Sequence, residues 1–289
     1  MGDNSVFITG AATGIGLGIA RKLDQLGWRV FAGVNRTAPT ELLHGASDRL
    51  TVIRVNIADD EQVKQAAATV RQALGANGLK LLINNAAVSG VAPGPVETVN
   101  IADFKAEMDV NFWGPVRVTQ AFLPLLRQYG RGARIIMVTS ASIYFTIPAG
   151  GSYAIEKHAL TALTEHLRME VAPFGIEVTA LEPGGVRTPM TGFRPEQETH
   201  FWNSIPQPLR QQYQEAFEYP GKGLSEGFEF ESIETYADKV YKQIISAKRL
   251  RPRYTLGIGV GMLPWMHRVL SKRALERIFR RLLRVKAPA

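Results

Sequence analysis

Val6-Phe7-Ile8 runs directly into Thr9-Gly10-Ala11-Ala12-Thr13-Gly14-Ile15-Gly16, after which Ile15, Ile19, Leu23 and Leu26 recur on one helical face. A strand, a glycine turn and a helix start are thus compressed into one short segment. Such a turn, with no Cβ in the way, lets backbone amides and the positive end of a helix approach a pyrophosphate. The spacing G-x-x-x-G-x-G from Gly10 to Gly16 is not the common fingerprint G-x-G-x-x-G, so taken alone it also fits a plain tight turn. The rest of the chain repeats the alternation. Strand-like runs at Val6 to Thr9, Arg29 to Val34, Leu50 to Val55, Leu79 to Ile83, Arg134 to Thr139, Ile176 to Leu181 and Arg253 to Gly257 are separated by helical patterns. This predicts an α/β fold, a doubly wound (Rossmann-type) parallel sheet with helices on both faces and ligands at the carboxyl ends of the strands. With 289 residues, 45% of them hydrophobic, the chain can bury one substantial core and reads as a single domain.

A second constellation concerns chemistry. Tyr153 and Lys157 are four residues apart, which on a helix places them on one face. A free phenol ionises near ~10, and an adjacent ammonium is expected to lower that value and make a general acid/base. Ser140 follows the strand Ile135 to Thr139, where a hydroxyl can donate to a carbonyl oxygen while Tyr153 delivers or removes the proton. Ser142 is a second hydroxyl, better placed as a substrate-pocket residue. The five histidines show no zinc-ligand spacing, so no metal is expected and polarisation falls to hydrogen bonds.

Taken in order, Thr9 to Gly16, Asn84-Asn85-Ala86, Asn111, Ser140, Tyr153-x-x-x-Lys157 and Pro183-Gly184-Gly185-Val186-Arg187-Thr188 resemble the short-chain dehydrogenases/reductases, from about residue 5 to about 257. The resemblance implies hydride transfer between a nicotinamide cofactor and a secondary alcohol or ketone. It implies a catalytic set of Asn111, Ser140, Tyr153 and Lys157, with Lys157 also holding the nicotinamide ribose and Asn111 supporting a proton relay. Carried over residue by residue, the cofactor would meet Thr9, Gly10, Gly14, Ile15, Gly16, Asn35, Arg36, Asn56, Ile57, Asn85, Ala86, Tyr153, Lys157, Pro183, Gly184, Val186 and Thr188. Ala87 departs from the family's usual glycine, a methyl that could crowd the cofactor or the strand. The competing class is a nucleotide-binding redox sensor without turnover, which has no need of all four catalytic groups.

Cofactor choice turns on Gly33-Val34-Asn35-Arg36, which lacks the acid that accepts the adenine ribose hydroxyls in NAD-preferring relatives. Arg36 suits a 2′-phosphate instead, so NADP(H) is favoured over NAD(H), although Thr13 stands where many NADP-preferring relatives carry a basic residue. Asn56 replaces an adenine-contacting aspartate and keeps a side-chain oxygen that can accept the same hydrogen bond.

The substrate is less legible. The segment from about 189 to 232 carries Phe193, Phe201, Trp202, Tyr213, Phe217, Tyr219, Phe228 and Phe230 among prolines and glycines, and reads as an aromatic lid. In relatives this region covers the substrate. The rings suggest a hydrophobic carbonyl compound of retinoid or steroid size, or else glue for the insertion, with Ile143, Tyr144 and Ile147 extending an apolar wall.

Charge is concentrated at one end. Residues 248 to 289 carry 12 Lys and Arg against Glu276 alone, a net of +11, leaving −3 on residues 1 to 247. From Val269 to Val285, Leu275, Ile278, Phe279, Leu282 and Leu283 share one helical face and Lys272, Arg273, Arg277, Arg280, Arg281 and Arg284 take the rest. Residues 1–260 are therefore read as the catalytic domain and 261–289 as a basic amphipathic helical extension, which packs on the body or lies on an anionic membrane. No nucleic-acid motif accompanies it. The absence of cysteine and of a visible signal peptide fits a cytoplasmic protein, peripherally membrane-associated at most. The helices around Ile101 to Arg127 and Ser152 to Val171 carry more apolar residues than one face requires; with the resemblance, that implies a homodimer or other homo-oligomer.

Overall fold

Seven strands, all parallel, form one sheet: β1 (Ser5–Thr9), β2 (Arg29–Val34), β3 (Leu50–Arg54), β4 (Leu81–Asn84), β5 (Arg134–Val138), β6 (Glu177–Pro183) and β7 (Arg253–Leu256). This computed structural model describes residues 4–36, 40–191, 195–219, 229–283 and 285. Each strand lies within two residues of its sequence-based bounds. The spatial order is β3-β2-β1-β4-β5-β6-β7, so the winding reverses between β1 and β4. In open α/β sheets a crevice forms at that reversal, above the carboxyl ends of the strands.

Alternation along the strands explains why both faces are covered. Phe7, Phe31, Leu82, Ile135, Met137 and Val178 point to one side, against Val63 and Val70 of α3 (Asp60–Leu74), Phe122 and Leu125 of α5 (Gly114–Tyr129), and Leu160 and Leu167 of α6 (Gly151–Val171). Their neighbours Val6, Ile8, Val30, Ala32, Leu81, Ile83 and Ile136 point to the other, against Ile19 and Leu23 of α1 (Gly14–Gln25) and Tyr236 and Val240 of α9 (Ile233–Val240). A short α2 (Thr40–Leu43) precedes β3. Helix α4 (Ile101–Met108) is capped by Asn100, whose side chain accepts from the N–H groups of Ala102 and Asp103. It joins α5 through a wide π turn, Asp109–Trp113, which carries Asn111.

The lid contains α7 (Pro195–Ser204) and α8 (Gln207–Ala216). Phe201, Ile205 and Phe217 are buried in a cluster of their own with Trp202, Tyr213, Tyr219 and Ala149. Tyr213 donates to Glu97, tying α8 to the loop after β4. Most of the described lid rings therefore hold the insertion together; Phe193 and Phe228 lie outside the described residues. The tail forms two helices where one was expected, α10 (Leu263–Val269) and α11 (Lys272–Leu282). Ser271 interrupts the pattern as an N-cap, its hydroxyl accepting from the Ala274 N–H at 3.3 Å. Leu275 and Leu283 are buried and Phe279 stacks on Phe145 at 5.0 Å, whereas Leu282, expected on that face, is exposed.

Candidate active site

The glycine turn is locked by its neighbours. Thr9 Oγ1 accepts from the N–H groups of Asn85 and Ala86, both at 3.0 Å, and Asn85 Nδ2 donates to the carbonyls of Thr9 (2.9 Å) and Gly10 (3.2 Å). Thr9 is buried, so its hydroxyl and the Asn85 amide hold the turn in shape. Gly10 has φ +67°, and a Cβ there would lie 2.8 Å from Ala86 Cα; a Cβ on Gly16 would lie 2.4 Å from the Gly10 carbonyl oxygen. Helix α1 begins at Gly14 with no side-chain cap from Thr13 and no acid in its first turn. Its first N–H groups are free of carboxylate competition, as an incoming pyrophosphate requires. Ile15 follows at this helix start. Thr188 is adjacent, since a Cβ on Gly14 would meet Thr188 Cγ2 at 3.2 Å. The residues present thus fit a dinucleotide.

Around this turn the other expected cofactor residues divide. Asn35 and Arg36 are exposed just beyond β2. Asn56 follows β3, and its Oδ1 already accepts from the Ala58 N–H at 3.2 Å in a turn leading into α3. Ile57 is buried against Gly114 and belongs to the core. Pro183 ends β6, Gly184 packs on Val260 and Ile258, and Val186 is buried beside Glu231. Ala87 does not adopt a positive φ, the one non-glycine residue that does so among the described residues being Ala149.

The four catalytic candidates converge beyond β4 and β5. Ser140 caps a short 3-10 turn, Ala141–Tyr144, its Oγ accepting from the Ser142 N–H at 3.1 Å, and its side chain acts to lower the Tyr153 phenol. Tyr153 and Lys157 both lie on α6, with Lys157 Nζ 5.4 Å from the centroid of the Tyr153 ring. Lys157 is 2% exposed and donates to the Val138 carbonyl at 3.1 Å. Asn111 is fully buried; its amide donates to the Val88 carbonyl and accepts from the Val88 N–H, both at 2.8 Å, and also donates to Glu156 Oε2 at 2.5 Å. It therefore ties the loop after β4 to α6.

The electrostatics reverse one expectation. Burial pushes the Tyr153 phenol up to about 12; the Ser140 hydrogen bond opposes this, and the charges of Glu156 and Glu107 add to it. Lys157 donates to a backbone carbonyl and lies beneath the ring, and burial of the phenol outweighs the fall that a neighbouring ammonium was expected to bring. Burial also pushes Lys157 down to about 8, opposed by Glu156. Glu156 itself is pushed up to about 7, first by burial, against the pull of Asn111. A phenol so placed is protonated at neutral pH.

The apolar wall differs from the sequence reading in one residue. Ser142 is buried with its hydroxyl unpartnered, Ile143 is buried, and Ile147 packs against Gly150. Tyr144 turns away, its hydroxyl donating to Glu182 Oε2 at 2.7 Å and its ring meeting His267 edge-on. Burying the Glu182 carboxylate requires donors, and Tyr144, Thr255 (2.6 Å) and Arg253 (3.5 Å) supply them. Sequence reasoning missed Glu182, Glu156 and Glu107. Glu156 carried a signal, being an acid on the face of α6 that Tyr153 and Lys157 already marked as inward.

Comparison with known proteins bears on the family and the fold. The family model for short chain dehydrogenase matches residues 4–199. Retinol dehydrogenase 5 of Mus musculus is 39% identical over 219 residues, 74% of this chain and 67% of that protein. Estradiol 17-beta-dehydrogenase 2 of Mus musculus is 37% identical over 193 residues, 66% of this chain and 50% of that protein. The chain thus spans about half to two thirds of the length of these relatives. A solved short-chain dehydrogenase from Streptomyces avermitilis shares 25% identity and a TM-score of 0.74 over 98% of each chain.

Proposed function

The chain belongs to the short-chain dehydrogenase family, and on that premise we propose that it transfers a hydride between a nicotinamide cofactor and a secondary alcohol or ketone at Tyr153. The observation that carries the reading is Ser140 and Lys157 beside Tyr153, with Asn111 bonded to Glu156 on the same helix as Tyr153. A bound nicotinamide would supply or accept the hydride. Tyr153, protonated at neutral pH, gives its proton to the carbonyl oxygen during reduction and recovers it during oxidation. Ser140 hydrogen-bonds the same oxygen and orients it. Lys157 holds the ribose hydroxyls, and Asn111 braces α6 against the loop that follows β4. A hydrophobic substrate would suit the apolar side chains of Ile143 and Ile147 that follow Ser140. Turnover of a panel of retinoid- and steroid-sized alcohols and ketones, followed by nicotinamide absorbance, tests this; cofactor binding with no turnover on any of them would favour a sensor.

The NADP(H) preference rests on Arg36, exposed past β2 with no acid in Gly33–Arg36. Arg36→Ala is expected to erase most of the preference for NADPH over NADH. A charge-assisted contact is worth roughly 1.5 to 3 kcal/mol, about ten- to a hundredfold. Calorimetric titration with both cofactors checks it, and tighter NADH binding by the unaltered protein would overturn it.

Peripheral membrane contact is proposed through the tail. Among the described residues no helix is long and apolar enough to cross a membrane. On α10 and just before it, however, Met262, Trp265 (63% exposed) and Val269 line one outward face, flanked by exposed Arg268, Lys272, Arg273 and Arg277. An apolar strip among cations complements an anionic lipid surface. Because α11 packs through Leu275, Phe279 and Leu283, deleting the tail would uncover core; point substitutions are the cleaner test. Trp265→Ser with Lys272→Ser and Arg273→Ser should lower affinity for phosphatidylserine vesicles at least tenfold, each cation contributing about 1 kcal/mol. Unchanged co-sedimentation would remove the membrane role. Self-association is proposed through the long helical stretch that ends in α5 and through α6, where Trp113 on the π turn and Ile155 and Met169 on α6 are exposed; light scattering showing a strict monomer would end it.

A further inference from the structure

Two carboxylates lie buried beside the catalytic set, and nothing in the reaction above employs them. Glu107 on α4 and Glu156 on α6 are both 0% exposed. Glu156 Oε2 accepts from Asn111 Nδ2 at 2.5 Å, and Glu107 Oε2 accepts from the N–H groups of Val91 (3.1 Å) and Ala92 (2.9 Å). The second oxygen of each, Oε1, is buried with no hydrogen-bond partner. An ionised carboxylate offers about four acceptor positions, so both acids are poorly satisfied as anions. Glu107 lies one helical turn before Asn111, and Glu156 lies three residues after Tyr153 and next to Lys157. Asn111 therefore joins the element bearing one acid to the side chain of the other.

We propose that Glu107 and Glu156 work as one buried pair sharing a single proton beside the tetrad, and so hold Tyr153 in its protonated, proton-donating form. The charged and titratable groups acting on Glu156 are Glu107 from α4 and Lys157 from α6, and those acting on Tyr153 are Glu156 and Glu107. The Lys157 ammonium acts on Glu156 alone, and Glu107 has only backbone N–H donors. Like charges in desolvated surroundings do not both ionise near neutral pH. Burial holds both above the usual carboxylate range, and the charge of Glu107 pushes Glu156 further. Once the pair is doubly ionised it opposes formation of the phenolate. Glu107 and Glu156 are thus positioning residues that act through Asn111 and through the field at Tyr153. This rests on the assignment of Tyr153 as the acid/base.

Two measurements without substrate test it. Infrared spectroscopy of the full-length protein should show a protonated carboxyl band at slightly acid pH that is absent in Glu156→Gln and whose midpoint moves to lower pH in Glu107→Gln. Ultraviolet difference titration, with Tyr153→Phe identifying the Tyr153 signal, should place phenolate formation at a lower pH when both acids are Gln. Glu156→Asp keeps the charge and should restore the original phenolate midpoint. If Gln behaves like the unaltered protein while Asp does not, the role is packing and the proposal is overturned. A carboxyl band that titrates identically with and without Glu107 also overturns it. Because neither readout needs turnover, a pair that titrates as expected while Tyr153→Phe remains active would keep the pair and remove the acid/base assignment.

Discussion

Tyr153→Phe is expected to lower turnover by about 10² to 10⁴ fold while leaving cofactor affinity almost unchanged, because only the group that gives and takes the proton is removed. The ring, its packing and the nearby Lys157 ammonium stay in place. The pH dependence follows from the phenol's position near about 12. Carbonyl reduction needs the protonated phenol, which persists across the neutral range, so its rate should be nearly level there. Alcohol oxidation needs the scarce phenolate, so its rate should climb as pH rises. Stopped-flow measurement in both directions, with equilibrium cofactor titration alongside, separates chemistry from binding. Turnover retained by the phenylalanine variant would remove Tyr153 from its role. An oxidation rate that falls with rising pH would mean that another group takes the proton.

The second large effect is expected at Lys157. Lys157→Ala should weaken both turnover and cofactor binding, the latter by about ten- to a hundredfold for loss of a charge-assisted contact to the ribose. The turnover loss should be at least as large, because Lys157 also donates to the Val138 carbonyl and lies beneath the Tyr153 ring. The substitution further leaves Glu156 without its cation in a buried site, which raises the acid above its present value of about 7. Lys157→Arg keeps the charge yet cannot fill the same slot, and should recover little. Cofactor affinity unchanged in the alanine variant would show that the ammonium does not reach the ribose. A folded variant, confirmed by its melting curve, is needed for either reading, since 2% exposure makes this lysine part of the core.

Sequence alone settled the architecture and named the residues proposed here as the catalytic set, for a physical reason. Parallel strands buried on both faces must be continuous apolar runs, and the helices between them must carry a 3.6-residue period, so Val6 to Thr9 or Arg134 to Thr139 could hardly form anything else. The spacing of Tyr153 and Lys157 worked in the same way, since a helix fixes which residues share a face. Distances between elements, and the solvation that follows from them, have no such local signature. Only the folded structure placed Glu107, Asn111 and Glu156 together across α4, the π turn and α6, and with them the rise of the phenol where an adjacent lysine led one to expect a fall. Tyr144 shows the same limit: with Ile143 and Ile147 it was read as extending an apolar wall, but its hydroxyl donates to Glu182, buried on β6. The tail divides likewise. Its charge and amphipathic period were legible, whereas the break at Ser271, the seat of Phe279 on Phe145 and the outward turn of Trp265 were decided by which surface the body offered.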